Sequence, residues 1–256
     1  MEINEKEFKA FCRDRVRVND WLFRVAAERR QHKDVCVVTL TYNDVHLPNG
    51  ENLRKRDVQL LFKRMRRAGI SFRYFGCGEY GSKGRRPHYH IIFFGWCPDD
   101  LVYHHSDDSG IKFYTSRVMD RFWSIWHERS KDVPEPYHEP IGFTVVCKEL
   151  SQRTIPYVCK YLQKKSTFPD KEVAPYLLCS RNPGIGSDVE GFIDYENDKL
   201  YAFGKSRRIP RFYFRGNREV FYQRVIKPKR MLRLEYFRDG SDYMLRLLRV
   251  FTKLSR

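Results

Sequence analysis

Two histidines stand two residues apart in the run Pro87-His88-Tyr89-His90-Ile91-Ile92-Phe93-Phe94, and two tyrosines stand four apart in Tyr157-Val158-Cys159-Lys160-Tyr161. On a strand the first spacing sets both imidazoles on one face, about 6.6–7 Å apart along the strand. Imidazoles converging from a rigid strand suit a divalent metal that keeps an open coordination position. On a helix the second spacing sets both phenols on one face. A phenol is a hydroxyl nucleophile, but with a pKa near 10 it is a poor one alone. It needs a phosphodiester polarised by a metal, and a cation nearby for the developing charge. Lys160 and Lys164 repeat the i, i+4 spacing one face over, where they would hold a phosphate backbone or that charge.

Each half alone has an ordinary explanation. Paired histidines on an amphipathic strand are commonly surface residues, and helical rings commonly pack in a core while Lys164 and Lys165 stay solvated. Glu79 strengthens the case for a site. It precedes the turn-forming stretch Gly81-Ser82-Lys83-Gly84-Arg85-Arg86, so a hairpin would bring it beside the imidazoles of the facing strand. The set is then two imidazoles and a carboxylate, with positions open for a phosphate and water. His104-His105, near Asp107 and Asp108, resembles a metal site only superficially and reads as polar loop.

The elements that must position these groups follow from the apolar pattern. Residues 5–31 predict a highly charged helix. Residues 35–42 form a β-branched run stopped by Asn43-Asp44, hence a buried strand. Residues 53–68 have helical spacing at Val58, Leu61, Phe62 and Met65, with Gly69 as C-cap. Strands are predicted at 71–80 and 88–94, paired as a hairpin, and at 141–147. A polar loop is predicted at 98–110, a helix at 114–128 containing Phe122, Trp123 and Trp126, and a helix at 150–165 carrying both tyrosines. This order predicts an α+β fold, an antiparallel-dominated sheet with helices packed on one side. A boundary near 166–172 would separate a domain of residues 1–168 from a basic, aromatic-rich C-terminal region, 169–256.

The 256 residues carry a net charge of +17, which makes a polyanion the default partner. Residues 201–256 hold 16 Lys/Arg against 4 Asp/Glu, interleaved with aromatics as in Arg211-Phe212-Tyr213-Phe214-Arg215. Basic residues can track phosphates while rings stack on bases; the same pattern also suits rings packed on a core beneath solvated arginines. Seven cysteines without regular spacing read as small buried hydrophobes in a reducing compartment. The charged N-terminus lacks a signal-peptide pattern and no apolar run approaches the ~18–20 residues that span a bilayer. A cytosolic protein without membrane contact is expected.

Three stretches, Thr39-Leu40-Thr41-Tyr42-Asn43-Asp44, Pro87-His88-Tyr89-His90 and Tyr157-Val158-Cys159-Lys160-Tyr161-Leu162-Gln163-Lys164-Lys165, resemble the three motifs of HUH endonucleases, in their order. The two-tyrosine helix is similar to that of the rolling-circle replication initiators of microviruses. Ser180-Arg181-Asn182-Pro183-Gly184-Ile185-Gly186 and Arg208-Ile209-Pro210-Arg211-Phe212-Tyr213 look like stretches of the gokushovirus branch. The resemblance runs from about 35 to 215. It implies a ferredoxin/RRM-like HUH palm, with His88, His90 and Glu79 as ligands of Mg²⁺ or Mn²⁺.

By the same resemblance, Tyr157 or Tyr161 attacks a single-stranded origin, leaving a 5′-phosphotyrosyl link and a free 3′-OH, and the two alternate so that a circle can close. Thr39, Thr41, Arg85, Arg86, Arg181, Arg207, Arg208 and Arg211 are the expected DNA contacts. A host helicase and polymerase are the expected partners, in the cytoplasm of a host bacterium. Tyr89 departs from the motif's usual middle residue, yet an aromatic there fits a position facing the core. The glycines at 184 and 186 suit either a phosphate cradle of backbone amides or a turn that only glycine can make. A transposase or relaxase would use the same chemistry, whereas a basic binding protein would have salt-sensitive affinity and no covalent product.

Overall fold

The β-branched and aromatic runs become strands β1 (Val35–Thr41), β2 (Arg73–Tyr80), β3 (Pro87–Phe94), β4 (Val102–Ser106), β5 (Lys112–Thr115), β6 (Ser124–His127), β7 (Tyr137–Pro140), β8 (Thr144–Cys147) and β9 (Tyr176–Cys179). The structure, a computed structural model, describes residues 5–81, 84–148, 158, 171–202 and 205–231. Seven of these strands form one sheet in the order β4-β5-β8-β1-β3-β2-β9, and every neighbouring pair is antiparallel. With helices α1 (Glu5–Arg30), α2 (Lys55–Arg67) and α3 (Arg117–Phe122) this is the α+β architecture expected. β6 and β7 form a separate ribbon.

The chain divides into two compact units. One runs from Leu22 to Gly186; the other joins Met1–Trp21 to Ser187–Arg256. The second contains a small sheet of β10 (Ile193–Asp194), β11 (Lys199–Ala202) and β12 (Lys205–Arg208). Within it Arg230 pairs with buried Asp198, through contacts that include 2.7 Å from Nε to Oδ2.

In the Leu22–Gly186 unit the two sheet faces separate by residue parity. Cys36, Val38 and Leu40 of β1 and Tyr89, Ile91 and Phe93 of β3 cluster with Val58, Leu61, Phe62 and Met65 of α2. The Tyr89 hydroxyl accepts from the Arg54 amide (2.7 Å) and donates to the Arg54 carbonyl (3.1 Å). It thereby satisfies backbone groups at the start of α2, where no side chain caps the helix. Tyr89 thus faces the core, as its place in the motif predicts. The opposite face carries His88, His90, Ile92 and Phe94.

Glu28, near the end of α1, is a charge buried at one end of that opposite face. Its side chain is 1% exposed and meets Arg73 of β2, the Gly186 amide (2.7 Å) and His32 Nε2 (3.1 Å). Burial opposes ionisation here, but the bonds from Arg73, Gly186 and His32 win and hold the carboxyl below its ordinary value near 4.5. A depressed folded pKa stabilises the fold above the unfolded value and is lost as pH falls through the folded one. Glu28→Ala is therefore expected to cost about 3 kcal/mol at neutral pH, because it strands a partly buried guanidinium. Urea denaturation followed from pH 7 down to about pH 3 checks it: the gap between wild type and variant should close as the pH falls.

Two expectations require correction. The predicted loop at 98–110 contains β4, whose five residues are all exposed. An edge strand without a buried face shows no apolar alternation, so its pattern imitates a loop. The predicted helix at 114–128 is only α3, six residues long. The Ser116 hydroxyl starts it by accepting from the Met119 amide (3.0 Å), and it stops at Trp123, fully buried against Tyr42 and Tyr89. Ser124-Ile125-Trp126-His127 then pairs with β7. The predicted tyrosine helix at 150–165 lies outside the described residues except for Val158.

Among the described residues the cysteines are free thiols, and no helix is long and apolar enough to cross a membrane.

Candidate metal centre

The site is built by strand register. In the β2–β3 hairpin Glu79 lies directly opposite His88, and Cys77 opposite His90. Opposed residues share a face, so one carboxylate and two imidazoles project together. His88 Nε2 lies 2.8 Å and His90 Nε2 3.2 Å from the same Glu79 oxygen, Oε1. The imidazole centroids are 5.0 Å apart, closer than the strand rise separates their backbones, because the rings lean toward that oxygen. Glu79 and His90 are buried, 2% and 4% exposed, while His88 is partly open. Among the described residues this is the group of ligand atoms, all within 4.8 Å of one another, that could hold a metal ion.

The neighbours fix which nitrogens point inward. His88 Nδ1 is 3.1 Å from the Arg86 carbonyl oxygen. A carbonyl can only accept, so Nδ1 carries the proton and Nε2 turns its lone pair toward Glu79. Two lone-pair atoms facing each other at 2.8 Å call for a shared positive charge, a proton or a metal ion. His90 Nδ1 is held by the Thr39 hydroxyl at 3.0 Å, the outer contact that fixes ring orientation in metal sites. Burial works against the Glu79 carboxylate, but hydrogen bonds from His88 and His90, and their charge, hold it below the ordinary carboxylate range. The three side chains fit a divalent cation that accepts mixed oxygen and imidazole donors.

The Thr39 contact has a measurable consequence. Thr39→Val keeps the β-branched shape that β1 needs and removes only the hydroxyl. Mn²⁺ affinity measured by calorimetry is expected to fall about 10- to 100-fold, with the fold retained.

The other expected site residues are distributed as follows. The Thr41 hydroxyl donates to the Phe143 carbonyl (3.3 Å). Arg85 is exposed in the hairpin turn with φ 48°, and Arg86 reaches Asp44 (2.5 Å) and the Tyr42 carbonyl (3.0 Å). Arg181 is exposed in the loop after β9. In that loop the Gly186 amide is committed to Glu28 and φ is +65°; a Cβ there would stand 2.3 Å from the Arg24 carbonyl oxygen. Gly186 is thus required by backbone conformation and close approach.

Arg207 and Arg208 lie exposed on β12, in the other unit, where Arg208 is 3.7 Å from Asp20. Arg211 pairs with Glu219 and lies 3.9 Å over the Tyr222 ring. Tyr157, Lys160, Tyr161 and Lys164 are outside the described residues. Their neighbour Val158 is buried, and its carbonyl oxygen lies 4.0 Å from Cys77 Sγ, on the sheet face that carries Glu79 and His90. His104 and His105 are both exposed on β4.

Sequence reasoning did not identify Thr39 as a partner of His90, although the parity of β1 against β3 carries that signal. It also missed Glu28, for which a lone acid in a charged helix gives no signal.

A family model described as replication-associated protein ORF2 matches residues 35–166. The chain is 28% identical over 206 residues to replication-associated protein VP4 of Bdellovibrio phage phiMH2K, covering 74% of the chain and 60% of that protein. It is 28% identical over 234 residues to replication-associated protein ORF2 of Spiroplasma virus 4, covering 82% and 68%. It is 28% identical over 209 residues to replication-associated protein ORF4 of Chlamydia phage 1, covering 75% and 46%. The chain therefore spans about half to two thirds of the length of these curated relatives. No solved structure matches it significantly.

Proposed function

The chain belongs to the replication-associated protein ORF2 family, and from that premise we propose that it initiates rolling-circle replication of a small phage genome by nicking single-stranded DNA. The observation that carries the reading is the convergence of Glu79, His88 and His90 on one oxygen, on the sheet face against which Val158 packs. Val158 directly follows Tyr157, and the i, i+4 spacing gives Tyr161 the same helical face.

Glu79, His88 and His90 hold Mg²⁺ or Mn²⁺, which when bound polarises the scissile phosphate and offsets its charge. A tyrosine oxygen forms a bond to phosphorus as the bond from phosphorus to the 3′ oxygen breaks. The phenolic proton departs and the 3′ oxygen gains one, leaving a 3′-OH that primes synthesis. The 5′-phosphotyrosyl bond conserves the energy for rejoining, so no external source is needed. Lys160 and Lys164 supply positive charge beside the phenols, and Thr41, Arg85, Arg86 and Arg181 hold flanking phosphates. Arg207, Arg208 and Arg211 extend basic contact from the C-terminal region. A host helicase and polymerase would complete replication in the bacterial cytoplasm.

Incubation with circular single-stranded phage DNA and Mn²⁺, then denaturing electrophoresis, tests the reading. A covalent protein–DNA species is expected. Salt-sensitive binding without an adduct under any divalent metal would leave a basic DNA-binding protein instead.

A further inference from the structure

We propose that Phe143 is a base-stacking platform for the single strand whose phosphate lies at Glu79, His88 and His90; this rests on the nuclease reading above. The argument is a row of residues across the sheet. Phe143 and Thr41 exchange backbone hydrogen bonds, 3.0 Å from the Thr41 amide and 3.3 Å from the Phe143 amide. Thr41 is the register partner of His88, and His88 of Glu79. Opposed residues share a face, so Phe143, Thr41, His88 and Glu79 project from the same side. Thr144, the next residue, is buried on the other side, bonded to Asp120. Two strand spacings, about 9.6 Å, separate Phe143 from His88.

The ring is 68% exposed, whereas Phe75, Phe93 and Phe94 of the same sheet are fully buried. Its mount is rigid. Besides the paired amide bonds, the Thr41 hydroxyl donates to the Phe143 carbonyl, and the Trp123 indole donates to the Thr41 carbonyl (2.8 Å). Gly142 runs so close to β1 that a Cβ would stand 1.8 Å from the Thr41 carbonyl oxygen. Position 143 is therefore held by backbone, and its ring is left open.

A single exposed phenylalanine is ordinary; one fixed beside metal-competent ligands is placed to meet the substrate. Arg85 and Arg86 lie at the same end of β3, so the surroundings favour a polyanion over an apolar peptide. Rings that stack on unpaired bases tolerate any sequence, because every base has a π-face.

The test compares full-length protein binding, in EDTA, to a fluorescent oligothymidylate of about 20 nucleotides and to an abasic deoxyribose-phosphate strand of equal length. Phe143→Ala is expected to weaken oligothymidylate binding about 5- to 50-fold while leaving abasic binding unchanged, and Phe143→Trp to keep both affinities. The inference fails if Phe143→Ala leaves oligothymidylate affinity intact, or lowers both affinities equally. Because metal and cleavage are excluded, that failure leaves the nuclease reading standing. Absence of a covalent adduct from wild type would sink the nuclease reading without touching the stacking result.

Discussion

A chain carrying both Tyr157→Phe and Tyr161→Phe forms no covalent species with single-stranded DNA, yet binds DNA and Mn²⁺ as wild type does. Phenylalanine keeps the ring and removes the one atom that can attack phosphorus. The expected loss is at least about 10³-fold in adduct formation, since any residual cleavage by water leaves no protein on the strand. Other tyrosines near the site cannot take over. Tyr42 and Tyr89 lie on the α2 face of the sheet, and their hydroxyls bond each other at 3.0 Å. Burial pushes both hydroxyls above the ordinary phenol range. Tyr176 packs against the same core, with its hydroxyl pushed up by burial too. Each single variant is expected to keep one cleavage step, because either phenol can attack. Closed circles should require both. An adduct surviving in the double variant would mean that the nucleophile lies elsewhere.

The metal half of the site was legible because it depends on local rules. A two-residue spacing on one strand and a short hairpin turn fix the shared face of Glu79, His88 and His90 without knowledge of the rest of the chain. The buried strands β1 and β3 and the amphipathic α2 were legible for the same reason, since burial writes its period into the sequence. What escaped depends on nonlocal pairing. Thr39 meets His90 across 51 positions of sequence, and Glu28 meets the Gly186 amide across 158; neither leaves a local pattern. β4 escaped because an exposed edge has no face to encode. The tetrapeptide Ser124-Ile125-Trp126-His127 read as helix because its bulky residues extend the spacing of α3, whereas pairing with β7 decides the outcome.

Removing one donor from the metal centre should be more damaging than loosening its support. Outer hydrogen bonds to a ligand are worth about 10- to 100-fold in affinity, so loss of a direct donor should exceed that. Glu79→Gln is the sharpest probe, because it keeps shape and hydrogen-bonding capacity while removing the charge that faces both imidazoles. Two lone pairs of His88 and Glu79 separated by 2.8 Å make that carboxylate the centre's charge-balancing group, and an amide cannot serve as one. Wild type should gain about 2.7 kcal/mol of unfolding free energy at a Mn²⁺ concentration 100 times its dissociation constant. Glu79→Gln should gain almost none at the same concentration. Adduct formation should fall by about 10³-fold, the rate equivalent of losing several kcal/mol of charge stabilisation at the phosphate. Thermal melts with and without Mn²⁺, beside the gel assay, read the two effects independently. A variant that still melts higher with Mn²⁺ would move the metal to other ligands, and one that loses the metal shift but keeps the adduct would separate metal binding from cleavage.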